Sequence, residues 1–281
     1  MITLENLNFG YTKQKVLFKE LNLALSADHI YGLLGKNGAG KTTLLKIMSG
    51  LLFAKEGKVE TLGYNSAYRH AEMLCDIYFL TEEMYIPSMK IKNYVKAYAP
   101  FYRNFNHEQF EHYLQEFSIE SQQVNMQKLS HGQKKEVLIS FALAANTKIL
   151  LLDEPTNGLD IPSKSIFRRL MASVVDKSRL VIISTHQVRD LHSLIDAIVI
   201  LDNGKILLNS STEEITQKLT FKTVDKKPEE DETILYSEDN IRGCLLVAEN
   251  KHNEVSNLDL ELLFNASIAN KQKINEIFNN K

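Results

Sequence analysis

One short glycine-rich segment restricts the folds open to this chain more than any other stretch. Residues 35–42 read Gly-Lys-Asn-Gly-Ala-Gly-Lys-Thr and match the pattern G-x-x-x-x-G-K-[ST]. An apolar segment that reads as a buried strand precedes them, and a helical segment follows. A glycine-rich turn in that position directs backbone N–H groups toward one point at the helix N-terminus, where the helix dipole also favours anions. The segment therefore predicts a phosphate-binding loop, with an accidental match as the alternative.

Individual residues of this loop have separate expected roles. Lys41 can reach the β- and γ-phosphates of a nucleotide, and the Thr42 hydroxyl can bind Mg²⁺. We therefore expect a nucleoside triphosphate and Mg²⁺ as cofactors. The expected phosphate-binding residues are Gly35, Asn37, Gly38, Gly40, Lys41, Thr42 and Thr43.

Strands alternate with helices over much of the chain. Strands are predicted at residues 2–9, 16–25, 29–34, 58–62, 76–80, 149–152, 180–184 and 198–201. Helical periodicity is present at residues 43–48, 91–98, 110–117 and 162–175. The β-α-β order in the second half predicts an α/β fold with a parallel sheet covered on both faces.

The end of the chain differs in character from the rest. Residues 222–232 are charged and lack apolar periodicity, which predicts a linker or the tip of a long hairpin. Short strands at 234–236 and 244–247 and a final helix follow. We therefore divide the chain into a main domain over residues 1–220, mainly helical over about 65–145, and a linker with a small accessory unit over residues 221–281.

Charge and cysteine content limit the possible partners and compartments. Of the 281 residues, 33 are Lys or Arg and 35 are Asp or Glu, so no nucleic-acid partner is expected. Cys75 and Cys244 lie far apart, which fits free thiols in a reducing compartment. The apolar runs are strand-sized, far below the roughly 20 residues of a membrane span, and we see no signal peptide. We expect a cytoplasmic protein that reaches the membrane only through a partner.

Two acidic residues end the apolar strand at 149–152. An acid at the C-terminal end of a buried parallel strand points into the crevice where such sheets bind ligands. Asp153 can there bind the Mg²⁺ that Thr42 also contacts, and Glu154 can polarise a water for in-line attack on a γ-phosphate. The alternative is a strand that ends in solvated acids, and the phosphate-binding loop favours the first interpretation.

A second anion site is predicted where another helix begins. Residues 129–133 read Leu-Ser-His-Gly-Gln, and Ser130 and Gln133 have the S-x-x-Q spacing of a capping box. Free N–H groups, the serine hydroxyl and the close approach allowed by Gly132 suit an anion. A helix cap without a ligand is the alternative.

Taken in order, the motifs over residues 1–215 resemble those of ATP-binding cassette (ABC) ATPases. Residues 129–133 are similar to the family signature L-S-G-G-Q, and residues 154–160 to its Walker B glutamate and D-loop. His186 looks like the family's switch histidine, and Tyr11 like the aromatic residue that stacks on adenine. The resemblance implies a P-loop NTPase cassette with a mixed sheet, an antiparallel β subdomain, a helical subdomain and a small C-terminal accessory unit.

The resemblance also implies how ATP is bound. Two ABC subunits, identical or related, would pair head to tail, with ATP between the phosphate-binding loop of one and residues 130–133 of the other. Lys41, Thr42 and Asp153 would hold the triphosphate and Mg²⁺, and Glu154 and His186 would be catalytic. The other implied nucleotide-binding residues are Tyr11, Ser130, Gly132, Gln133 and Asp160, the last of which would link the two sites.

Two positions depart from the family pattern. Glu82 stands where a glutamine is usual, and it can still meet Mg²⁺ or the attacking water, although a surface Glu-Glu pair is the alternative. His131 stands where glycine is common. Because bulky residues are penalised at positive φ, His131 indicates that its position is already the first of the helix.

The tail and the Glu82–Glu83 pair suggest a type of transporter. Residues 255–264 resemble the leucine-glutamate and phenylalanine ending of many drug, peptide and polysaccharide exporter subunits, although they also read as a simple amphipathic helix. We therefore expect the ATP-hydrolysing subunit of a drug- or peptide-type (ABC-2-like) exporter, peripheral on the cytoplasmic face of the membrane and acting through a separate membrane-spanning subunit. The alternatives are a soluble ABC ATPase that acts on ribosomes or DNA, and a cassette that does not hydrolyse ATP.

Overall fold

The computed structural model describes residues 1–12, 14–174, 178–186, 192–225, 233–241 and 243–279. Its strands are β1 (Ile2–Gly10), β2 (Val16–Leu25), β3 (His29–Leu34), β4 (Glu56–Thr61), β5 (Tyr64–Asn65), β6 (Ile77–Leu80), β7 (Ile149–Asp153), β8 (Leu180–Thr185), β9 (Ala197–Asp202), β10 (Lys205–Ser211), β11 (Leu219–Val224), β12 (Ile234–Asn240) and β13 (Gly243–Glu249). Its α-helices are α1 (Lys41–Met48), α2 (Ala71–Leu74), α3 (Ile91–Tyr98), α4 (His107–Glu116), α5 (His131–Ala144), α6 (Ile161–Val174), α7 (Thr212–Lys218), α8 (Leu260–Ala269) and α9 (Lys271–Asn279).

A six-stranded mixed sheet forms the centre of the molecule. Its strand order is β10-β9-β3-β8-β7-β6, and all neighbours are parallel except β10, which pairs antiparallel with β9. Every residue of β7 and β8 is buried, because elements cover both faces of the sheet. Burial on both faces explains why these strands read as continuous apolar runs rather than as alternating patterns.

An antiparallel sheet and a helical region pack against the central sheet. The antiparallel sheet has the order β2-β1-β4-β5, and one hydrophobic cluster joins it to α1 and to the central sheet. On the other side, the buried ring of Phe141 in α5 contacts Tyr94 of α3 and Phe110 of α4. The expected mixed sheet, antiparallel sheet and helical region are therefore present. Within the segment 65–145, β6 is an edge strand of the central sheet, and the domain boundaries stay a prediction.

The C-terminal part contains a three-stranded antiparallel sheet in the order β11-β13-β12. The predicted linker is wrong at residues 222–224, because these residues belong to β11 and pair with β13. The last three residues of β11 are exposed or half-buried, and this explains why they show no apolar pattern in the sequence. Their strand structure depends on backbone pairing with β13. Residues 226–232 of the predicted linker lie outside the described residues.

The last two helices pack on the central sheet. One hydrophobic cluster includes Leu263 of α8, Ile274 of α9 and Ile200 of β9. The Asp259 side chain caps α8, so the helix expected over residues 255–264 begins only at Leu260. The Lys271 ammonium also forms an ion pair with the largely buried Asp202 carboxylate at the end of β9. The accessory unit therefore shares a core with the main domain.

Two expectations drawn from composition can be checked directly. Both Cys75 and Cys244 are free thiols, as expected. Within the described ranges, no helix combines the length and apolar character that crossing a bilayer requires.

Candidate functional site

The predicted phosphate-binding loop connects β3 to α1. Gly40 stands just before α1 with a φ of 108°, and a Cβ there would lie 2.9 Å from the Phe18 ring. A Cβ on Gly35 would lie 2.6 Å from the Leu201 carbonyl oxygen of β9. Side chains at these two positions would collide with their neighbours, so the loop can lie this close to the sheet only with glycine.

The Lys41 side chain turns back into the loop. Its ammonium group is largely buried and donates a hydrogen bond to the Gly35 carbonyl, with an Nζ–O distance of 2.7 Å. Burial lowers the pKa of Lys41, while the nearby carboxylates of Glu154, Asp153 and Glu82 act in the opposite direction. A cation is therefore held at the base of the loop, opposite three acidic residues.

Asp153 connects the loop to the central sheet. The Thr42 hydroxyl donates to one carboxylate oxygen of Asp153 at 2.6 Å, and the Ser184 hydroxyl donates to the other. Asp153 is the last residue of β7 and is directly paired with Ser184 of β8. Both side chains are buried. Two hydrogen bonds therefore orient the Asp153 carboxylate beside the start of α1.

Glu154 and His186 form a second contact at the same edge of the sheet. His186 Nδ1 lies 2.7 Å from Glu154 Oε1. The Glu154 backbone N–H donates to the Ser184 carbonyl at 3.0 Å, and its φ of 47° is unusual for a residue other than glycine. The largely buried carboxylate thus faces an imidazole just beyond Asp153.

These side chains surround a cavity of about 390 Å³. It is lined by Tyr11, Lys15, Leu17, Lys36, Asn37, Gly38, Gly40, Lys41, Thr42, Thr43, Glu82, Asp153 and Glu154. The Tyr11 side chain is 60% exposed at one side of it, and the Tyr11 and Thr43 hydroxyl oxygens lie 2.8 Å apart in a hydrogen bond. The structure therefore brings Tyr11, the loop and the three acidic residues into one pocket, and His186 joins them through Glu154.

Residues 130–133 lie outside the cavity that the phosphate-binding loop and the acidic residues line. The expected capping box is present, with Gln133 N–H donating to the Ser130 hydroxyl and Ser130 N–H to the Gln133 side chain, both at 3.1 Å. His131 is the first residue of α5, as its size indicated. The Ser130 and Gln133 side chains are exposed, and residues 130–133 are not among the described residues that line the cavity.

Asp160 also lies outside the lining of the cavity, within the part of the chain that the structure describes. Its carboxylate accepts a hydrogen bond from the Ser163 N–H in the first turn of α6, at 2.8 Å. This hydrogen bond lowers the pKa of Asp160. Ser163 in turn donates through its hydroxyl to Glu136 of α5 at 2.6 Å, and burial raises the pKa of Glu136.

Three polar residues at the site received no role from the sequence. Ser184 orients Asp153, and Asn157 donates to the Glu82 carboxylate at 2.9 Å. Lys135 is almost fully buried, and its ammonium contacts the loop after β7. Ser184 ends the strand predicted at residues 180–184, at the same edge of the sheet as Asp153, and this position is a signal that the sequence contains. The contacts of Asn157 and Lys135 join different segments of the chain, and no local pattern indicates them.

The donor atoms at the site fit a magnesium nucleotide. Among the residues that the structure describes, no three His, Cys, Asp or Glu side chains form a metal site on their own. Mg²⁺ in nucleotide sites usually takes one or two protein oxygens together with phosphate oxygens and water. The Thr42 hydroxyl and the Asp153 carboxylate supply such oxygens beside a loop that suits phosphate.

Comparison with known sequences agrees with this geometry. The family model described as ABC transporter matches residues 18–157. The lipopolysaccharide export system ATP-binding protein LptB of Haemophilus influenzae is 31% identical over 235 residues, which cover 80% of this chain and 96% of that protein. The cobalt import ATP-binding protein CbiO of Salmonella paratyphi A is 30% identical over 240 residues, covering 76% and 82% of the two chains.

Solved structures share the fold. The structure of an ATP-binding subunit of an ABC transporter covers 76% of this chain and 91% of its own length, with a TM-score of 0.70 and 23% identity. A dimeric ATP-binding cassette bound to ADP and Pi in a post-hydrolysis state covers 75% of this chain and 98% of its own, with a TM-score of 0.66 and 22% identity. The predicted fold class, a P-loop ABC cassette, is confirmed.

Proposed function

This chain belongs to the ATP-binding subunits of ABC transporters, and from that membership we propose that it hydrolyses Mg²⁺-ATP to drive transport through a separate membrane-spanning subunit. The observation that carries the proposal is the contact between Glu154 and His186 at the edge of the phosphate-binding pocket. A carboxylate held there is placed to act on a water next to the γ-phosphate. The two residues of the hydrolytic pair are therefore already together in one subunit.

Binding uses the loop and the residues around it. The loop N–H groups and the Lys41 ammonium bind the phosphates, and the Tyr11 ring stacks on the adenine. Thr42 and Asp153 hold Mg²⁺, with Glu82 in reach of the same pocket. When bound, Mg²⁺ offsets the negative charge of the β- and γ-phosphates.

Hydrolysis is carried out by the second pair of side chains. Glu154 accepts a hydrogen bond from the attacking water and so orients its oxygen toward the γ-phosphorus. His186 holds the Glu154 carboxylate in place through Nδ1. The family resemblance implies that its imidazole would also contact the γ-phosphate. Positioning and charge complementarity supply most of the catalysis, since phosphoryl transfer requires little covalent participation by the protein.

The site is completed by a second subunit, identical or related, that packs head to tail. Ser130, Gly132 and Gln133 bind the ATP held by the partner, and Asp160 links the two sites. The exposure of Ser130, His131 and Gln133, away from their own subunit's pocket, supports this arrangement. The free N–H groups and serine hydroxyl at the start of α5 suit an anionic phosphate.

The direction of transport is proposed to be export of a small molecule, drug or peptide. The leucine-rich tail around α8 and the Glu82–Glu83 pair support this direction, whereas the relatives include both an export protein and import proteins. The subunit is proposed to sit on the cytoplasmic face of the membrane through its partner. Residues 1–220 are proposed to form the cassette and residues 221–281 the accessory unit, and the net charge of −2 gives no support to a nucleic-acid partner.

Phosphate release from Mg²⁺-ATP by the purified chain, measured beside Lys41→Ala, tests the proposal. The parent should turn over ATP, and the variant should lose both ATP binding and turnover because a charge-assisted contact to the phosphates is removed. Turnover by Lys41→Ala at the parent's rate would refute the assigned pocket. Pull-down of the tagged chain from detergent-solubilised membranes should recover a membrane-spanning protein.

A further inference from the structure

A buried ammonium group holds the loop that follows β7. Lys135 lies in the second turn of α5 and is only 1% exposed. Its Nζ donates to the Glu154 carbonyl oxygen at 2.6 Å and to the Asn157 carbonyl oxygen at 2.8 Å. These two residues begin and end a tight turn, because the Asn157 N–H also donates to the Glu154 carbonyl at 3.2 Å. One side chain therefore holds both ends of the turn.

The backbone at Glu154 needs such support. Its φ of 47° lies in the left-handed region, which a residue other than glycine keeps only when its surroundings hold it there. The hydrogen bond from Glu154 N–H to Ser184 holds one side of the residue, and the two bonds to its carbonyl hold the other. The Glu154 carboxylate contacts His186 in this backbone conformation.

The first turn of the same helix also packs on the loop. The Gly132 backbone lies against the Gly158 carbonyl, since a Cβ built on Gly132 would be 3.4 Å from that oxygen. The start of α5, where Ser130 caps the helix, is therefore in contact with the loop that contains Glu154. Lys135 adds two hydrogen bonds between the same helix and this loop.

We propose that Lys135 is a positioning residue for Glu154, which fixes the carboxylate for hydrolysis by holding the carbonyls of Glu154 and Asn157 from α5. The proposal rests on the proposed role of Glu154 in ATP hydrolysis. It adds a role for a side chain that is not itself among the described residues lining the nucleotide pocket but contacts one of them, Glu154. Lys135 also joins the start of α5, proposed to contact the partner's ATP, to the catalytic glutamate of its own subunit.

A purely structural lysine would act differently from a positioning one. Loss of a structural contact lowers the free energy of unfolding and reduces the amount of folded protein, without changing the turnover of the molecules that remain folded. Loss of a positioning contact lowers kcat for the folded protein and leaves the affinity for ATP unchanged. Turnover per folded molecule, measured together with ATP affinity, therefore separates the two.

The first experiment compares substitutions at Lys135 in the full chain. Lys135→Met removes both hydrogen bonds, and we expect kcat to fall about ten-fold or more, equivalent to about 1.4 kcal/mol, with KM for ATP within about two-fold of the parent. Lys135→Arg keeps a charged donor and should retain most activity, with Lys135→Gln between the two. The ranking of Arg, Gln and Met still tests the proposal if Lys135→Met does not fold.

A matched control lies on the same helix. Ser140 is buried in α5 and its hydroxyl donates to the Glu136 carbonyl of the same helix at 2.8 Å, so Ser140→Ala removes a buried hydrogen bond without touching the loop. We expect its kcat to stay within about two-fold of the parent. Parent-like kcat in folded Lys135→Met or Lys135→Gln, or no recovery by Lys135→Arg relative to these, would overturn the proposal.

A double-mutant comparison separates this proposal from the proposed function. In single-turnover assays, Lys135→Met should slow the parent about ten-fold but a Glu154→Gln background by less than about two-fold, because the group it positions is already gone. An equal loss in both backgrounds would overturn the role of Lys135 while leaving that of Glu154 intact. Parent-like turnover by Glu154→Gln alone would instead refute the catalytic role of Glu154, whereas the absence of turnover by the parent would refute the proposed function.

Discussion

Thr42 and Asp153 are 111 residues apart in the chain, yet the threonine hydroxyl donates a hydrogen bond of 2.6 Å to the aspartate carboxylate. This contact joins the start of α1 to the end of β7, and Ser184 of β8 completes it from the other side. Three neighbouring elements thus meet at one carboxylate. The effects of substitutions around Asp153 follow from this arrangement.

Ser184→Ala should lower the apparent affinity for Mg²⁺ more than the apparent affinity for ATP. It removes one of the two donors that orient the buried Asp153 carboxylate, at a cost of about 1–3 kcal/mol in the free energy of unfolding. We expect the Mg²⁺ concentration at half-maximal turnover to rise several-fold. Thr147→Val is the control, because that buried hydroxyl donates to the Ile149 carbonyl at the other end of β7. Equal Mg²⁺ dependence in the two variants would contradict the role of Ser184.

Tyr11 should contribute to ATP binding through its ring rather than its hydroxyl. Tyr11→Ala removes the stacking surface, and a loss of about 0.5–1.5 kcal/mol corresponds to an increase in Kd of between about two- and ten-fold. Tyr11→Phe loses only the hydrogen bond to Thr43 and should bind ATP almost as the parent does. Titration of the three proteins with ATP measures the difference. Parent-like Kd for Tyr11→Ala would exclude adenine stacking at this position.

Ser130→Arg should stop hydrolysis without affecting ATP binding to the monomer. The substitution places a bulky charge at the partner's γ-phosphate, while Lys41, Thr42 and Tyr11 are unchanged. Mixing Ser130→Arg with Lys41→Ala gives dimers in which one site carries both changes and the other carries neither. Restored turnover in the mixture would support a shared head-to-tail site. Unimpaired turnover by Ser130→Arg alone would leave residues 130–133 as a helix cap only.

Ile274→Ala should destabilise the nucleotide-binding part of the molecule, not only the tail. Ile274 of α9 is fully buried in the cluster that includes strands of the central sheet, so truncation should cost about 2–5 kcal/mol in the free energy of unfolding. Thermal loss of ATP binding reports on the cassette and should occur at lower temperature. Glu276→Ala, exposed on the same helix, should change stability by less than about 0.5 kcal/mol. Loss of ATP binding at the same temperature in both variants would indicate that the tail is an independent unit.

The sequence predicts the site well where one local pattern carries a function. The phosphate-binding loop follows from its glycines, and Asp153 and Glu154 follow from their place at the end of a buried strand, because the carboxyl ends of parallel strands meet at one edge of a sheet. The fold class follows from the alternation of strands and helices. Each of these signals spans a few consecutive residues.

Other features depend on contacts that no local pattern encodes. Lys135 reaches the Glu154 carbonyl across 19 residues, and in the sequence it is one of two adjacent lysines without a distinguishing signal. Asn157 and Glu82 meet across 75 residues. Strand β11 ends in the exposed Lys222 and Thr223 and the half-buried Val224 and depends on pairing with β13, so the end of its sequence reads as a linker. Tertiary contacts decide these cases, and single-sequence propensity cannot.

Phosphate release by Glu154→Gln, measured beside the parent at saturating Mg²⁺-ATP, tests the central claim most directly. The substitution keeps the shape of the side chain but removes the carboxylate that orients the attacking water, and it leaves the phosphate-binding loop intact. We predict that turnover falls by about 100-fold or more while the Kd for ATP stays within about three-fold of the parent value. Turnover within a few-fold of the parent would show that Glu154 is not the catalytic residue, and would contradict this account of the site.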